Sequence, residues 1–302
     1  MAAAARRPKA AAWFWAARPF SLTASIIPVL VGSAMAAGAG FDWTLFALAL
    51  TGSVAIQIGT NLTDEYADHR REGASAKFLA PHKVLRRGEL SQGAVRLGMA
   101  LSFGYGVAAG LTIVSQVGWP ILAVGLVAVA AAYLYSAGPR PIGDVGLGEP
   151  AVFLLMGVLM VCASYYVQTQ TLALAPLLFA LPVAFFVTAI LHCNNLRDVD
   201  EDRANGKRSL AGRLGRERSE AVYAALLGAG YASLLGSALA TAPAYLWALA
   251  ALATAPWGWG AVAMLRRAQD RADMNRLMVR TASLHWRAGL LLAAGLALSR
   301  LA

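Results

Sequence analysis

Long apolar runs constrain the fold of this chain more than any other feature of its sequence. A helix that crosses a bilayer needs about 20 mostly apolar residues, and runs of this kind begin near nine positions: Phe20, Trp43, Ala94, Trp119, Glu149, Leu172, Glu220, Ala242 and Ala282. Of the 302 residues, 58% are hydrophobic and only 14% are charged. The first run could be a cleaved signal peptide, but its length favours a retained helix. We therefore predict an all-α polytopic membrane protein of nine transmembrane helices.

The basic residues give these helices a direction. If the N-terminus lies in the cytoplasm, 25 of the 26 Lys and Arg residues fall on the cytoplasmic side, and only Arg300 lies outside. This is the pattern that orients membrane proteins. The basic residues form short clusters between apolar runs, not one stripe, which argues against a nucleic-acid partner despite the net charge of +10. We predict a multi-pass protein of the cell (inner) membrane, with a cytoplasmic tail of residues 1–18 and a cytoplasmic functional face.

A repeated acidic motif ends two of the apolar runs. The second run ends in Asn61-Leu62-Thr63-Asp64-Glu65-Tyr66-Ala67-Asp68, and the sixth ends in Asn195-Leu196-Arg197-Asp198-Val199-Asp200-Glu201-Asp202. The pattern N-L-x-D-x-x-x-D therefore recurs after 134 residues. Because four spans separate the copies, both halves have the same orientation in the membrane, as in a parallel repeat. We predict two four-helix parallel repeats plus a ninth helix around a central cavity, with the motifs facing each other across it.

The spacing of the acids points to a divalent cation. Residues four apart share one face of a helix, so Asp64, Asp68 and Glu72 form one carboxylate stripe, and Asp198 and Asp202 form another. Mg²⁺ takes one or two carboxylates and leaves its other positions to water and phosphate. We predict these five residues as metal ligands, and the four aspartates among them as catalytic. The amides one turn deeper and nearby cations are the predicted substrate-binding groups: Asn61, Asn194, Asn195, Lys77, Arg140, Lys207 and Arg208.

The alternative explanation is that these are solvated loop acids paired with basic neighbours. It suits an isolated D-x-x-x-D, but two copies with the same Asn-Leu prefix at equivalent points of the chain favour function. Asp200 lies two residues from Asp198, about 200° around a continuous helix. We expect Asp200 to point away from the site.

With these motifs in place, the sequence resembles the UbiA superfamily of intramembrane prenyltransferases over nearly the whole chain from Arg18. The family's first acidic motif aligns with Asp64 to Glu72, with Asp in place of Asn and Glu in place of two Asp residues, and its second matches Asp198-x-x-x-Asp202. Several further segments resemble the branch that prenylates 1,4-dihydroxy-2-naphthoate in menaquinone synthesis, among them Gln57-Ile58-Gly59-Thr60-Asn61-Leu62, Pro81-His82-Lys83-Val84-Leu85, Tyr135-Ser136-Ala137-Gly138-Pro139-Arg140-Pro141 and Gly146-Leu147-Gly148-Glu149.

The resemblance implies a single prenyltransferase domain over residues 1–302. It implies Mg²⁺-dependent ionisation of a polyprenyl diphosphate and transfer of the polyprenyl group to 1,4-dihydroxy-2-naphthoate, with decarboxylation, to give demethylmenaquinone. It also implies that Arg18, at the start of the first helix, contacts the aromatic acceptor or the diphosphate. The alternative role of Arg18 is that of an end residue whose side chain reaches the membrane surface.

Two other functions remain open at this stage. One is another branch of the same superfamily, acting on 4-hydroxybenzoate, haem or chlorophyll precursors. The other is a cation-coupled transporter, which the position of the acids at one face, beside basic loops, disfavours. The partners predicted are a polyprenyl diphosphate, an aromatic acceptor and the lipid bilayer. The sequence predicts neither the prenyl chain length nor the oligomeric state.

Overall fold

The computed structural model describes residues 7–72, 82–136, 141–204 and 206–301, and these fold into helices joined by turns, without a β-strand. The α-helices are α1 (Lys9–Ala16), α2 (Thr23–Ala34), α3 (Trp43–Glu72), α4 (Gln92–Val117), α5 (Trp119–Ser136), α6 (Gly148–Val152), α7 (Met160–Thr169), α8 (Leu174–Arg197), α9 (Val199–Ala204), α10 (Leu210–Leu214), α11 (Arg216–Ala240), α12 (Ala255–Arg267) and α13 (Arg271–Leu301). A π-helical segment, Phe153–Leu159, joins α6 to α7, and a 3-10 segment, Leu246–Thr254, leads into α12.

Helix length and composition define a multi-pass membrane protein. Six helical stretches of the described chain are long and apolar enough to cross a membrane, and a seventh forms if the bent pair Lys9–Ser21 and Thr23–Ala34 is counted as one span. The apolar helix Trp119–Tyr135 is shorter. The predicted all-α membrane class is confirmed, whereas the predicted number of nine spans is not. Helix α5 is not counted as a span because it is too short. The last apolar run is not counted because α13, which contains it, carries four arginines before residue 288.

The first apolar run begins with a corner instead of a straight helix. Helices α1 and α2 are bent by 53° relative to each other, and Arg18 at the bend has a left-handed backbone with φ of 52°. Asn61 on α3 holds this corner, because its Nδ2 donates to the carbonyl oxygen of Ala17 at 2.8 Å and to Oγ of Ser21 at 3.0 Å. The corner places the guanidinium of Arg18 beside the acidic end of α3.

Small residues let the helices approach closely, as is common in membrane proteins. A Cβ on Gly32 of α2 would lie 2.2 Å from the carbonyl oxygen of Val161 on α7, and one on Gly157 would lie 2.2 Å from Cβ of Ala184 on α8. Helix α3 packs along α4, and α8 packs along α11. The two helices that carry the acidic motifs are thus each supported by a long neighbour.

The second acidic motif lies at a helix break. Helix α8 ends at Arg197, Asp198 has φ of −100° and ψ of 9°, and α9 begins at Val199. Helical hydrogen bonds reach Asp198 from both sides: its N–H donates to the carbonyl oxygen of Asn194 at 3.1 Å, and its carbonyl oxygen accepts from the N–H of Asp202 at 2.8 Å. The chain then turns at Gly206, with φ of 76°, and the N–H of Lys207 returns to the carbonyl oxygen of Asp202. This turn directs Lys207 back toward the acids.

Candidate active site

One large cavity, of about 640 Å³, lies among the helices, and both acidic motifs reach it. Its polar end is lined by Arg18, Ser21, Asn61, Asp64, Asp68, His82, Lys83, Asn194, Asn195, Asp198, Asp202, Lys207 and Arg271. The rest of its wall is mainly apolar, with side chains from α2 to α7 such as Val29, Leu48, Ile56, Val114, Leu126, Val129 and Met156. Leu48 and Asp64 both line it from α3, and 16 residues of helix span about 24 Å. The cavity is therefore elongated, with charge at one end.

Lys207 joins the two acidic motifs. Its Nζ lies 3.7 Å from Oδ1 of Asp68 on α3 and 3.5 Å from Oδ1 of Asp202 on α9. The Oδ1 atoms of Asp68 and Asp202 are therefore separated by no more than the sum of these two distances. Residues 134 positions apart in the sequence therefore meet around one ammonium group.

The first motif receives two further cations. Nζ of Lys83 lies 2.6 Å from Oδ2 of Asp68, and Nη1 of Arg18 donates to Oδ2 of Asp64 at 3.2 Å. Glu65, between these acids, faces another way: it is only 1% exposed, and its Oε1 accepts a hydrogen bond from the N–H of Leu85 at 2.9 Å. Glu65 thus attaches the segment after residue 81 to α3 and does not line the cavity.

The second motif is held by arginines from two helices. Nε of Arg197 donates to Oδ1 of Asp198 at 2.8 Å, and a second nitrogen of Arg197 contacts Oδ2. Arg271, at the start of α13, donates through Nη2 to Oδ1 of Asp198 at 2.8 Å and to Oε2 of Glu201 at 2.9 Å. Asp200 is exposed and absent from the cavity wall, although the helix breaks at Asp198 and is not continuous as the prediction assumed.

The charges at this end of the cavity influence one another strongly. Burial raises the pKa of Asp202 to about 6, against the opposing effect of Lys207. Burial alone would lower the pKa of Lys207, but the carboxylates of Asp68 and Asp202 outweigh it and raise that pKa. Burial, together with the charges of Arg18 and Lys83, lowers the pKa of His82 well below its usual value. Asp202 therefore lies where further positive charge would be stabilising.

The three predicted amides have different surroundings. Both ends of the Asn61 side-chain amide are hydrogen-bonded. Its Nδ2 supports the α1–α2 corner, and its Oδ1 accepts a hydrogen bond from Nε2 of Gln57 at 3.2 Å. Oδ1 of Asn194 accepts one from Nη2 of Arg197 at 2.9 Å. Nδ2 of Asn195 donates to Oε1 of Glu149 at 3.1 Å. Asn61 is therefore a structural residue as well as a wall residue.

A divalent cation fits this donor set in one specific way. Among the described residues, no three Asp, Glu, His or Cys side chains are grouped closely enough to hold a metal ion without help. Mg²⁺ does not require three, because it retains waters and takes substrate phosphate oxygens alongside one or two carboxylates. The hard oxygen donors of Asp64, Asp68, Asp198 and Asp202 line one cavity, and the present partners of these acids are cations that a diphosphate would attract. The site thus fits Mg²⁺ carried together with a diphosphate.

Not every predicted site residue is brought into the cavity. Arg208 is exposed and absent from its wall, and its backbone N–H donates to the carbonyl oxygen of Asp144. Lys77, Arg140 and the side chain of Glu72 lie outside the described residues.

Sequence reasoning missed three cations of the site. Lys83, Arg197 and Arg271 contact the acids directly, yet none was singled out. Arg197 stood inside the repeated motif, next to Asp198, and this was an available signal. Lys83 stood in the segment Pro81-His82-Lys83-Val84-Leu85, whose family resemblance was also a signal. Arg271 lies 73 residues from Asp198, so only the fold identifies it.

Helices long enough to cross a membrane, packed around an elongated cavity with charge at one end, define a multi-pass membrane protein with an internal site. The UbiA prenyltransferase family matches residues 25–296, and the chain belongs to that family. It is 32% identical to the 1,4-dihydroxy-2-naphthoate octaprenyltransferase of Bacillus subtilis, over 93% of this chain and 91% of that one. It is 32% identical to the Escherichia coli enzyme of the same name, over 82% and 79%.

The fold agrees with that membership. A solved UbiA homolog from Archaeoglobus fulgidus, bound to GPP and Mg²⁺, superposes with a TM-score of 0.66 over 93% of this chain and 99% of that one, at 14% identity. The family assignment and its resemblance to the naphthoate prenyltransferase branch are confirmed. The chain is therefore similar, over most of its length, to enzymes that prenylate an aromatic acid.

Proposed function

We propose that this protein transfers a polyprenyl group from a polyprenyl diphosphate to 1,4-dihydroxy-2-naphthoate, with decarboxylation, giving the quinol form of demethylmenaquinone. The observation that carries the proposal is the position of Lys207, whose ammonium lies between Asp68 and Asp202 at the polar end of one cavity. Such an arrangement suits a diphosphate, and the apolar wall beyond it suits a polyprenyl tail. The names of the similar bacterial enzymes supply the acceptor.

The cations already at the site bind the diphosphate. Lys83 and Lys207 are paired with Asp68, and Arg271 with Asp198. A diphosphate carries more negative charge than one carboxylate and offers several acceptor oxygens, so it draws these side chains from the acids. The carboxylates of Asp64, Asp68, Asp198 and Asp202 are then available as ligands. Mg²⁺, when bound there, stabilises the charge that develops on the leaving diphosphate.

When the diphosphate leaves, the allylic carbon of the prenyl group becomes positively charged, and the residues around the cavity protect this allylic cation from water. The apolar wall from α2 to α7 excludes water from the reacting carbon, and Arg18 is positioned by the α1–α2 corner to contact either the diphosphate or the carboxylate of the acceptor. The carbon–oxygen bond to diphosphate breaks and the aromatic ring forms a bond to the allylic carbon. Carbon dioxide leaves from the ionised carboxylate, and the electron pair of the broken carbon–carbon bond stays in the ring and restores its aromaticity, with no net loss of a proton.

The placement in the membrane belongs to the same proposal. We propose nine transmembrane helices in two parallel four-helix repeats plus a ninth helix, in a single domain over residues 1–302, within the cell (inner) membrane. Residues 1–18, which include α1, and the charged end of the cavity face the cytoplasm. The asymmetric distribution of Lys and Arg supports this orientation.

A product assay tests the proposed activity. Membranes containing the protein are incubated with Mg²⁺, 1,4-dihydroxy-2-naphthoate and polyprenyl diphosphates of several lengths, and products are identified by mass. We expect prenylated naphthoquinol without its carboxylate, and no product after chelation of Mg²⁺. Robust turnover of 4-hydroxybenzoate and none of the naphthoate would contradict the choice of acceptor.

A further inference from the structure

A buried polar cluster lies behind the cavity wall, where apolar residues would be expected. Glu149 at the start of α6 is 4% exposed, and His192 on α8 is fully buried. Nδ1 of His192 lies 2.9 Å from Oε1 of Glu149, and its Nε2 lies 3.0 Å from the carbonyl oxygen of Ser219. Neither Glu149 nor His192 lines the cavity, but Asn195, bonded to the same Oε1, does.

Hydrogen-bond chemistry fixes the number of protons in this cluster. A carbonyl oxygen only accepts, so Nε2 of His192 carries a hydrogen and donates it to Ser219. Between Nδ1 and the carboxyl group of Glu149 there is then one further proton, whichever atom holds it. The pair consequently carries no net charge, which is the condition for burying both groups at low cost.

The same geometry fixes the polarity of Asn195. Oε1 of Glu149 faces an N–H group on Asn195, because an amide oxygen placed there would meet the carboxyl oxygen without a hydrogen between them. The amide oxygen of Asn195 is therefore the end turned to the cavity. It lies three residues, about 4.5 Å along the axis, below Asp198. It lies on the side of Asp198 where Val187, Ile190 and Leu191 of α8 also line the cavity, toward the apolar part of the wall.

We propose that Glu149 and His192 are positioning residues, which share one proton and so hold the amide oxygen of Asn195 toward a hydroxyl group of the aromatic acceptor. The inference rests on the proposed function, because it requires a hydroxylated aromatic substrate. An amide oxygen accepts from a phenolic hydroxyl but offers nothing to an ionised diphosphate, which has only acceptors. Asn195 thus discriminates between the two substrates.

Changing Glu149 to Gln inverts this arrangement with almost no change in volume. A neutral His192 that donates to Ser219 presents a lone pair at Nδ1, so the glutamine amide introduced at position 149 turns its NH₂ toward it. That NH₂ then faces Asn195, which must flip and present its own NH₂ to the cavity. In the double variant Glu149→Gln, His192→Asn, the asparagine introduced at position 192 donates to the amide oxygen of the introduced glutamine, and Asn195 returns to its original orientation.

The test measures KM for each substrate separately, on the full-length protein in membranes, with octaprenyl diphosphate and 1,4-dihydroxy-2-naphthoate as substrates. We expect Glu149→Gln to raise KM for the naphthoate by about tenfold, the cost of one mismatched hydrogen bond, and to leave KM for the diphosphate within about twofold. The double variant restores the naphthoate KM. Combining Glu149→Gln with Asn195→Ala gives no larger effect than Asn195→Ala alone.

One control and one substitute variant separate positioning from stability. Tyr223→Phe removes another buried hydrogen bond, from Oη to Oγ1 of Thr281 at 2.6 Å, and should leave both KM values unchanged. If Glu149→Gln does not fold, Glu149→Asp, which withdraws the carboxyl group by one methylene, should give a smaller rise in the same direction.

Three results overturn the inference: an unchanged naphthoate KM in Glu149→Gln, a double variant without recovery, or an equal rise for both substrates. Failure of the proposed function is distinct from these, since it appears as an unmodified protein that does not use the naphthoate at all. In that event the KM comparison is made with the aromatic acceptor that the unmodified protein does prenylate, and the same three results decide.

Discussion

At the scale of single residues, the site is a set of acids that are each neutralised by a neighbouring cation. Asp68 is paired with Lys83 and Lys207, and Asp198 with Arg197 and Arg271. Charges in such partly buried pairs are stabilising only while both members are present. In the proposed mechanism, substrate and metal replace these pairings when they bind, so the same side chains serve both states. Removing one member therefore alters binding as well as the ligand-free protein.

The acids can be distinguished by the effect of neutral substitutions. Asp68→Asn and Asp198→Asn each remove a charge but little volume, and we expect turnover to fall about a hundredfold or more, equivalent to about 3 kcal/mol of transition-state stabilisation. Asp200→Asn is the matched control, because Asp200 is exposed and outside the cavity wall, and its activity should be nearly normal. The measurement is kcat with saturating substrates. Equal losses in all three variants would show that the acids do not form a specific site.

Arg271 provides a second prediction at this scale. Arg271→Ala leaves Asp198 with Arg197 and takes a cation from the proposed diphosphate site, so we expect kcat/KM for the diphosphate to fall about tenfold. Arg276→Ala, five residues along the same helix, removes an exposed arginine that pairs with Asp273 and should be silent. Equal activity of the two variants would remove Arg271 from the site.

At the scale of elements, the sequence predicted the helices well and their interruptions poorly. Each of the nine apolar runs falls largely on helical structure, because about 20 apolar residues in a bilayer have few other ways to pair their backbone groups. The corner at Arg18 and the break at Asp198 were not predicted. The corner depends on the hydrogen bonds from Asn61, and the break on the contact of Arg271 with Asp198. Because both are contacts between residues far apart in the sequence, no local sequence pattern predicts them.

The corner is tested through Asn61. Asn61→Leu removes the two hydrogen bonds to Ala17 and Ser21 and leaves the partly buried carbonyl oxygen of Ala17 without this donor, so we expect a loss of about 1–3 kcal/mol of stability. Thermal unfolding in detergent measures this loss. Thr112→Ala, which removes an exposed bond within α4, is the control and should unfold like the unmodified protein. If Asn61→Leu does too, Asn61 does not support the corner.

At the scale of the whole molecule, membrane helices enclose one cavity that has a charged end and an apolar wall beyond it. The repeat predicted that both motifs would meet, and Lys207 lies between them. The composition of the cavity wall could not be predicted in detail, because apolar residues that face lipid and apolar residues that face a cavity look alike in sequence. The family membership explains why the resemblance extended over nearly the whole chain.

Orientation in the membrane is tested by labelling single cysteines. In a chain whose Cys162 and Cys193 are replaced by Ala, Glu217→Cys should react only after the membrane is made permeable, because it lies among the basic residues of the proposed cytoplasmic side. Thr171→Cys, at the exposed turn between α7 and α8, should react in intact cells. The reverse pattern would invert the proposed topology.

The central claim is that acids from both halves of the chain form one site for Mg²⁺ and a diphosphate. The most direct measurement is the thermal stabilisation of the purified protein by geranyl diphosphate with Mg²⁺, which at 100 times the dissociation constant is about 2.7 kcal/mol. We predict that chelation abolishes this stabilisation, and that Asp68→Asn on α3 and Asp202→Asn on α9 each greatly reduce it. If either variant is stabilised as strongly as the unmodified protein, or if stabilisation persists without Mg²⁺, the two motifs do not share one metal–diphosphate site.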